Sequence, residues 1–523
     1  TVIDRLEHGP SHRAGDVGLL WKLAEDLDMA NIIDGICCQE KNIEGPSPGK
    51  LLTAWAINRV LDPASATKLE KWTPKTDIPR LMKIDPADFT KDAFLSSLDF
   101  ICYRDRWIDG FQDHTSQIDD ALYRRWRELY PLKTGEKETL AYDLTSVLFF
   151  GTMCPLTELG YNPNKIKRVQ VNMGMVISRR EKQPITHFVY NGSRNGKATI
   201  KNLISRLQES SIEPGTIIWD RGNVSAESVS NAEKAGWNLI CGIPMTLREA
   251  KTIIADNEIK CSWRQLAKSS KAGHVYALKT RKKLYGKQRD LILYTNRERG
   301  VRDANSRNEG LVSIIEALTE LNESGSTWTE KKLHREIGKV VGEYKRFIEV
   351  RVRRKGDGPR LSWKVKEREI NKAERTDGKY LLLSTKETLS AKDVVTTYLE
   401  KDFIEKVFRT MKTSEEVEPV RHRLEERVRA YLFVCVLAYR LIAYLQHKLS
   451  ETTDKDDSWE SAYSLLDELG RVERVQVKLG NRIKTWYLNL SKKTNEKLKK
   501  MGLDDLFRET TEVDLRNVGG KKI

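Results

Sequence analysis

Cysteine is scarce in this 523-residue chain, and the 7 present are scattered with no CxxC pair. An odd, unspaced set excludes a legible disulfide framework or zinc finger, so reduced, intracellular thiols are expected. Long apolar runs are also missing. The opening TVIDRLEHGPSHRAGD holds no signal-peptide core, and the nearest approach to a membrane span, Val428 to Gln446, is broken by Arg429, Arg440 and several tyrosines. A buried amphipathic helix is the expectation there, with no membrane partner. No internal repeat is visible.

Basic residues are plentiful: 91 Lys and Arg stand against 75 Asp and Glu, a formal charge of +16. That excess favours an anionic partner, of which nucleic acid is the commonest. The hydrophobic share of 39% and the 12 Trp, 17 Tyr and 12 Phe argue for packed cores rather than wholesale disorder. The chain is too long for one ordinary core, and roughly two to four domains are expected.

Residues 1–135 read as a helical N-terminal domain, from GLLWKLAEDLDMANIIDGI, PGKLLTAWAINRVLDPASATKLEKW and ALYRRWRELY. The texture changes after Lys137. ETLAYDLTSVLFF, RVQVNMGMVIS and PITHFVY read as three strands, followed by the helix ATIKNLISRLQE, the strand TIIWD, the helix SAESVSNAEKAG and the strand WNLICGI. This order predicts a mixed α/β sheet over 136–245. Residues 246–378 form a basic, structured insertion containing KTRKKLYGKQR (279–289) and VRVRRKGDGPR (350–360). Over 379–450 the strand KYLLLST leads to the helix SAKDVVTTYLEKDFIEKVFRTMKT and a long helix from Leu424 to His447. The C-terminal region, 451–523, is polar and mixed, with GGKKI read as a frayed tail.

Three acids stand out. Asp143 interrupts the apolar strand AYDLTSVLFF, where an ionised carboxylate is costly unless it is paired or binds metal. A strand-end Asp facing solvent is the plainer alternative. Asp220 ends the apolar run TIIWD, and active sites of α/β sheets gather at such strand ends. Helix capping by Asp220 is the alternative. Tyr398, Lys401, Glu405 and Lys412 follow at spacings of 3, 4 and 7. At about 100° per residue, Lys401 falls roughly 40° from Glu405, and Tyr398 and Lys412 about 20° away, which predicts one shared helix face. Phe408 on the same side turns that face inward. A solvated Lys401–Glu405 pair is the alternative.

The last four residues resemble the Tyr-x2-Arg-x3-Glu-x6-Lys signature of DDE transposases of the insertion-sequence-four group, with Lys401 in the place of Arg. Lysine keeps the charge but loses the planar fork. The Asp143 strand, the TIIWDRG segment and EEVEPVRHRLEERVRAYLFVCVLAYRL extend the resemblance. It implies an RNase H-like mixed sheet flanked by helices and interrupted by the insertion, with Asp143, Asp220 and Glu405 as catalytic metal ligands. Two Mg²⁺ are implied, with Mn²⁺ able to substitute. Neither Glu400 nor Asp402 keeps the family spacing. Tyr398, Lys401, Lys412 and Arg409 are implied DNA contacts. The implied partners are double-stranded DNA, both terminal repeats and target, and a second copy of the chain on DNA in a prokaryotic cytoplasm. A catalytically inactive DNA-binding relative and an RNase H-like nuclease or resolvase without strand transfer are the competing readings.

Overall fold

In the computed structural model the described residues are 6–38, 45–104, 110, 112–151, 153–162, 166–210, 212–256, 264–269, 273–324, 328–355, 358–452, 461–479, 482–508 and 510–513. The chain divides into two compact units, one formed by Thr1–Ile217 with Lys401–Ile523 and the other by Ile218–Glu400.

In the first unit, local capping chemistry sets where several helices begin. Ser47 accepts the amide of Lys50 with Pro48 at the first helical position, starting Pro48–Leu61, and Thr90 accepts the amide of Ala93 to start Lys91–Ile101. The helices ahead of Lys137 share one hydrophobic cluster with later elements: Trp55 and Trp126 belong to the same cluster as Val147 and Phe408. Trp55 meets Phe94 and Tyr431 edge-on at 6.0 and 6.2 Å.

At the centre of that cluster runs the helix Glu425–Thr452. By length and composition it could cross a membrane, yet 94% of its most apolar window is buried inside the protein, which makes it a core helix. Its fully buried Arg440 is held by Asp119 at 3.2 Å, and Asp119 also meets His187 Nδ1 at 2.9 Å. Without Asp119 that buried guanidinium would be strongly destabilising.

Strands of the first unit carry the candidate acid. Thr139–Leu148 pairs antiparallel with Val169–Ser178, placing Asp143 opposite Met175, and Val169–Ser178 pairs in turn with Pro184–Asn191. The Asp402–Thr413 helix packs against Thr139–Leu148.

The C-terminal region is more ordered than its polar composition suggests. The strand Glu473–Leu479 pairs with Arg482–Leu488 and with two strands near the N-terminus, Leu6–His8 and His12–Arg13. Alternation in RVERVQVKL and RIKTWYLNL carries this signal. The expected frayed tail, GGKKI, and Cys261 lie outside the described residues.

In the second unit, Asn238–Gly242 pairs with Lys379–Ser384, which pairs with Lys287–Asn296, and that strand forms a hairpin with Gly273–Leu284. Part of the basic insertion is therefore sheet. The remainder, from the helix Arg297–Ser324 to the helix Glu367–Glu374, packs around a cluster that includes Leu318, Leu333 and Ile348. Tyr285 and Gly286, with φ of 50° and 79°, close the hairpin between the paired Leu284 and Lys287, a two-residue turn of the kind that needs positive φ.

The basic run 279–289 serves the fold more than its composition suggests. Lys279 pairs with Asp290 at 2.9 Å and Arg281 with Glu387 at 3.0 Å. The buried Arg289 forks onto Glu233, which Lys287 also reaches at 3.3 Å. Burial raises the Glu233 carboxyl's pKa, but the hydrogen bonds and charges of Arg289 and Lys287 together outweigh it and the net shift is downward. Lys282 and Lys283 are exposed.

Candidate active site

Asp143 sits mid-strand and half-buried between Tyr142, which is buried, and Leu144. Its Oδ1 accepts the amide of Leu144 at 2.9 Å. The Tyr142 hydroxyl on the other face is tied to Thr199 Oγ1 at 2.7 Å, which fixes the strand on its helical layer.

Asp220 follows Thr216–Trp219, a strand buried at every position. It does not cap the next helix. Ser225 does so, accepting the Ser228 amide while Ser228 returns a bond to the Ser225 amide, a reciprocal capping box ahead of Ala226–Lys234. The Asp220 carboxylate instead accepts the Tyr398 hydroxyl at 2.9 Å. Burial and then the Asp220 charge push the Tyr398 phenol well above its ordinary pKa, so it stays a proton donor.

Gly242, at the end of its strand, makes this contact possible. A Cβ there would lie 2.5 Å from the Tyr398 hydroxyl oxygen. Sequence reasoning missed this glycine, although a Gly closing the apolar strand NLICG is the ordinary mark of a close approach.

The single helix expected for the signature is two helices. Tyr398 lies in Ala391–Glu400 and Glu405 in Asp402–Thr413, with Lys401 between them as the N-cap. Lys401 keeps right-handed helical dihedrals (φ −54°, ψ −19°), and the Ile404 amide bonds back to its carbonyl at 2.9 Å. Periodicity carries no mark of such a one-residue interruption, because no Gly or Pro accompanies it. Glu405 gains from the break: it stands in the first turn of its own helix, where the positive end of the helix dipole favours a carboxylate.

Phe408 is buried as expected, together with Phe403, Ile404, Val407 and Met411, but Glu405 itself is exposed at the rim. Lys401 is buried and its Nζ lies 3.8 Å from Glu405 Oε1. Lys412 donates to the Ser146 carbonyl on the Asp143 strand and pairs with Glu418 at 3.2 Å. Arg409 is exposed.

The first unit thus holds Asp143, Lys401, Glu405, Arg409 and Lys412, and the second holds Asp220 and Tyr398. Among the described residues no group of three His, Cys, Asp or Glu side chains is gathered so as to hold a metal ion. The donors themselves suit one: all three are carboxylates, the hard oxygen ligands that Mg²⁺ prefers.

Comparison with known proteins adds three findings. No curated protein matches the chain. A solved piggyBac transposase synaptic complex with hairpin DNA is similar at 12% identity and a TM-score of 0.40, covering 89% of this chain and 82% of that one. The family model described as the transposase DDE domain matches residues 135–441, a span that contains Asp143, Asp220, Tyr398, Glu405 and Lys412. That span is more than half of the chain, and the protein belongs to the DDE-domain transposases.

Proposed function

We propose that the protein cuts DNA at the ends of a mobile element and joins the freed 3′ ends to target DNA, using Asp143, Asp220 and Glu405 on an RNase H-like core. The observation that carries this reading is the position of Asp143: a half-buried carboxylate in the middle of a packed strand, inside the matched family span. An acid kept there at a solvation cost has a task.

Divalent ions held by these carboxylates would supply Lewis-acid charge, favouring ionisation of the attacking water or 3′-hydroxyl and neutralising the leaving oxygen. The chain's own residues supply the rest. Tyr398 orients the Asp220 carboxylate by donating to one oxygen. Lys401 lies beside Glu405, where its ammonium balances the acid before DNA arrives and meets phosphate afterwards. Exposed Arg409 offers a phosphate contact from the same helix. Lys412, engaged with Ser146 and Glu418, fixes the helix on the Asp143 strand and reaches DNA only by giving up those partners.

Double-stranded DNA, as element ends and as target, is the proposed substrate, bound by a dimer of this chain in the cytoplasm of a prokaryotic cell. A strand-transfer assay with a pre-cut terminal-repeat duplex and supercoiled target in Mg²⁺ tests it. Joined product is expected, and hydrolysis with no joined product would assign the protein to the nucleases instead.

A further inference from the structure

The end of the Glu405 helix is held by a residue from the far N-terminal part of the sequence. Arg59, buried in the helix Pro48–Leu61, donates through Nη2 to the carbonyls of both Glu415 and Glu416. Its guanidinium carbon also stands 5.4 Å from the centre of the Tyr431 ring. All of these residues belong to the first unit.

Those two carbonyls belong to the turn that closes Asp402–Thr413. The amides of Ser414 and Glu415 wind back onto the Thr410 carbonyl, at 2.8 and 3.1 Å, and the Val417 amide reaches Met411 at 3.0 Å. Glu416 holds a positive φ of 46° to make the turn. Those amides meet the helix's own end carbonyls at Thr410 and Met411, which leaves the carbonyls of the turn beyond them, at Glu415 and Glu416, to find donors elsewhere in the protein. Arg59 meets that need with a cation, matched to the negative end of the helix dipole. The Glu415 side chain adds no hydrogen bond: it is fully buried with neither oxygen hydrogen-bonded, and burial raises its pKa well above the ordinary carboxylate range against a smaller opposing pull from the Arg59 charge.

We propose that Arg59 is a positioning residue for Glu405. With Lys412 gripping the Asp143 strand from the same helix, Arg59 fixes the helix at its C-terminal end, and so fixes where the carboxylate at its N-terminal end stands. The inference rests on Glu405 being a metal ligand. Displacing a catalytic carboxylate by a fraction of an ångström weakens metal binding and chemistry without touching DNA binding.

The test compares the full chain with Arg59→Met, Arg59→Lys and, as a control for losing a buried arginine elsewhere in the same unit, Arg474→Met, which breaks the Arg474–Asp77 pair. Four quantities are measured: Mn²⁺ binding by electron paramagnetic resonance, Mg²⁺-dependent cleavage of a terminal-repeat duplex, affinity for that duplex, and amide exchange over 402–413. Arg59→Met is expected to weaken Mn²⁺ binding about fivefold and cleavage at saturating Mg²⁺ about tenfold, with faster exchange over 402–413 and unchanged DNA affinity. Arg59→Lys, able to donate to one carbonyl at a time, is expected to fall between. Arg474→Met is expected to lower the thermal midpoint only.

Wild-type metal binding and exchange in Arg59→Met would overturn the proposal. If that variant does not fold, Arg59→Lys decides, and a wild-type metal requirement there overturns it equally. Glu405→Gln run alongside separates the two levels. A fully active Glu405→Gln removes the premise, whereas an inactive one beside an unaffected Arg59→Met removes the Arg59 inference alone.

Discussion

The hydroxyl of Tyr398 stands 2.9 Å from Oδ1 of Asp220, and it can do so only because residue 242 has no Cβ. A signature tyrosine for which the family resemblance implies a DNA contact instead donates to a candidate metal ligand and holds it in one orientation. A hydrogen bond to a charged group is worth about 1.5–3 kcal/mol, so Tyr398→Phe is expected to slow cleavage about tenfold or more while leaving the fold intact. Gly242→Ala is expected to mimic it by pushing the ring away. Single-turnover cleavage with thermal melting as control checks both, and a wild-type rate in Tyr398→Phe would remove the orienting role.

Lys412 and Arg409 lie three residues apart and are expected to fail differently. Lys412→Met frees the Ser146 carbonyl and Glu418, so a loss of about 1–3 kcal/mol in unfolding free energy is expected along with slower cleavage. Arg409→Ala is expected to keep full stability and lose DNA affinity. Denaturant titration and a binding isotherm on each variant separate the two roles; unchanged stability in Lys412→Met would return that lysine to the DNA-contact set.

Within the basic hairpin, the exposed Lys282 and Lys283 are the residues free to meet DNA, while Arg289 is tied to Glu233. Replacing both lysines by alanine is expected to reduce the slope of log affinity against log salt by about 2. Arg289→Met is expected to leave that slope alone and to destabilise by about 3 kcal/mol, because it strands Glu233 beside Lys287 only. Binding measured over a salt series distinguishes the two.

His422 gives a pH signature. Burial, reinforced by the nearby Arg427 charge, depresses its pKa to about 4 from the ordinary 6.5, against a smaller opposing pull from Asp99. The unfolded chain therefore binds the extra proton first. Stability from this residue is complete above pH 6.5 and is lost as pH falls towards 4, by about 2 kcal/mol once partial solvent access is allowed for. His422→Gln is expected to flatten that part of the stability curve, measured as the difference from wild type between pH 7 and 4.5.

Much of the architecture was legible because burial imposes periodicity. Asp143 was conspicuous as the one acid in an apolar strand, and the strands ending in Trp219 and Gly242 read directly from TIIWD and NLICG. What escaped lay in relationships that no local pattern records. The break at Lys401 leaves its backbone helical, so spacing passed over it. The partners of Lys412 and Arg59 sit 266 and 356 residues away in sequence. The basic run 279–289 stands out by composition, which counts charges without showing that Asp290, Glu387 and Glu233 already face most of them. The strands from Glu473 carry alternation in the sequence, but their pairing with Leu6–His8 and His12–Arg13 at the other end of the chain leaves no local mark.

The central claim is that Asp143, Asp220 and Glu405 act together as the metal-binding acids of one reaction. Asp143→Asn, Asp220→Asn and Glu405→Gln each keep shape while removing the charge, and Mg²⁺-dependent cleavage and joining of a terminal-repeat duplex, with DNA binding measured in parallel, tests them directly. Each variant is expected to lose chemistry by at least about a thousandfold while binding DNA as the wild type does. A wild-type rate in any one of them would contradict the assignment and move that ligand to another acid.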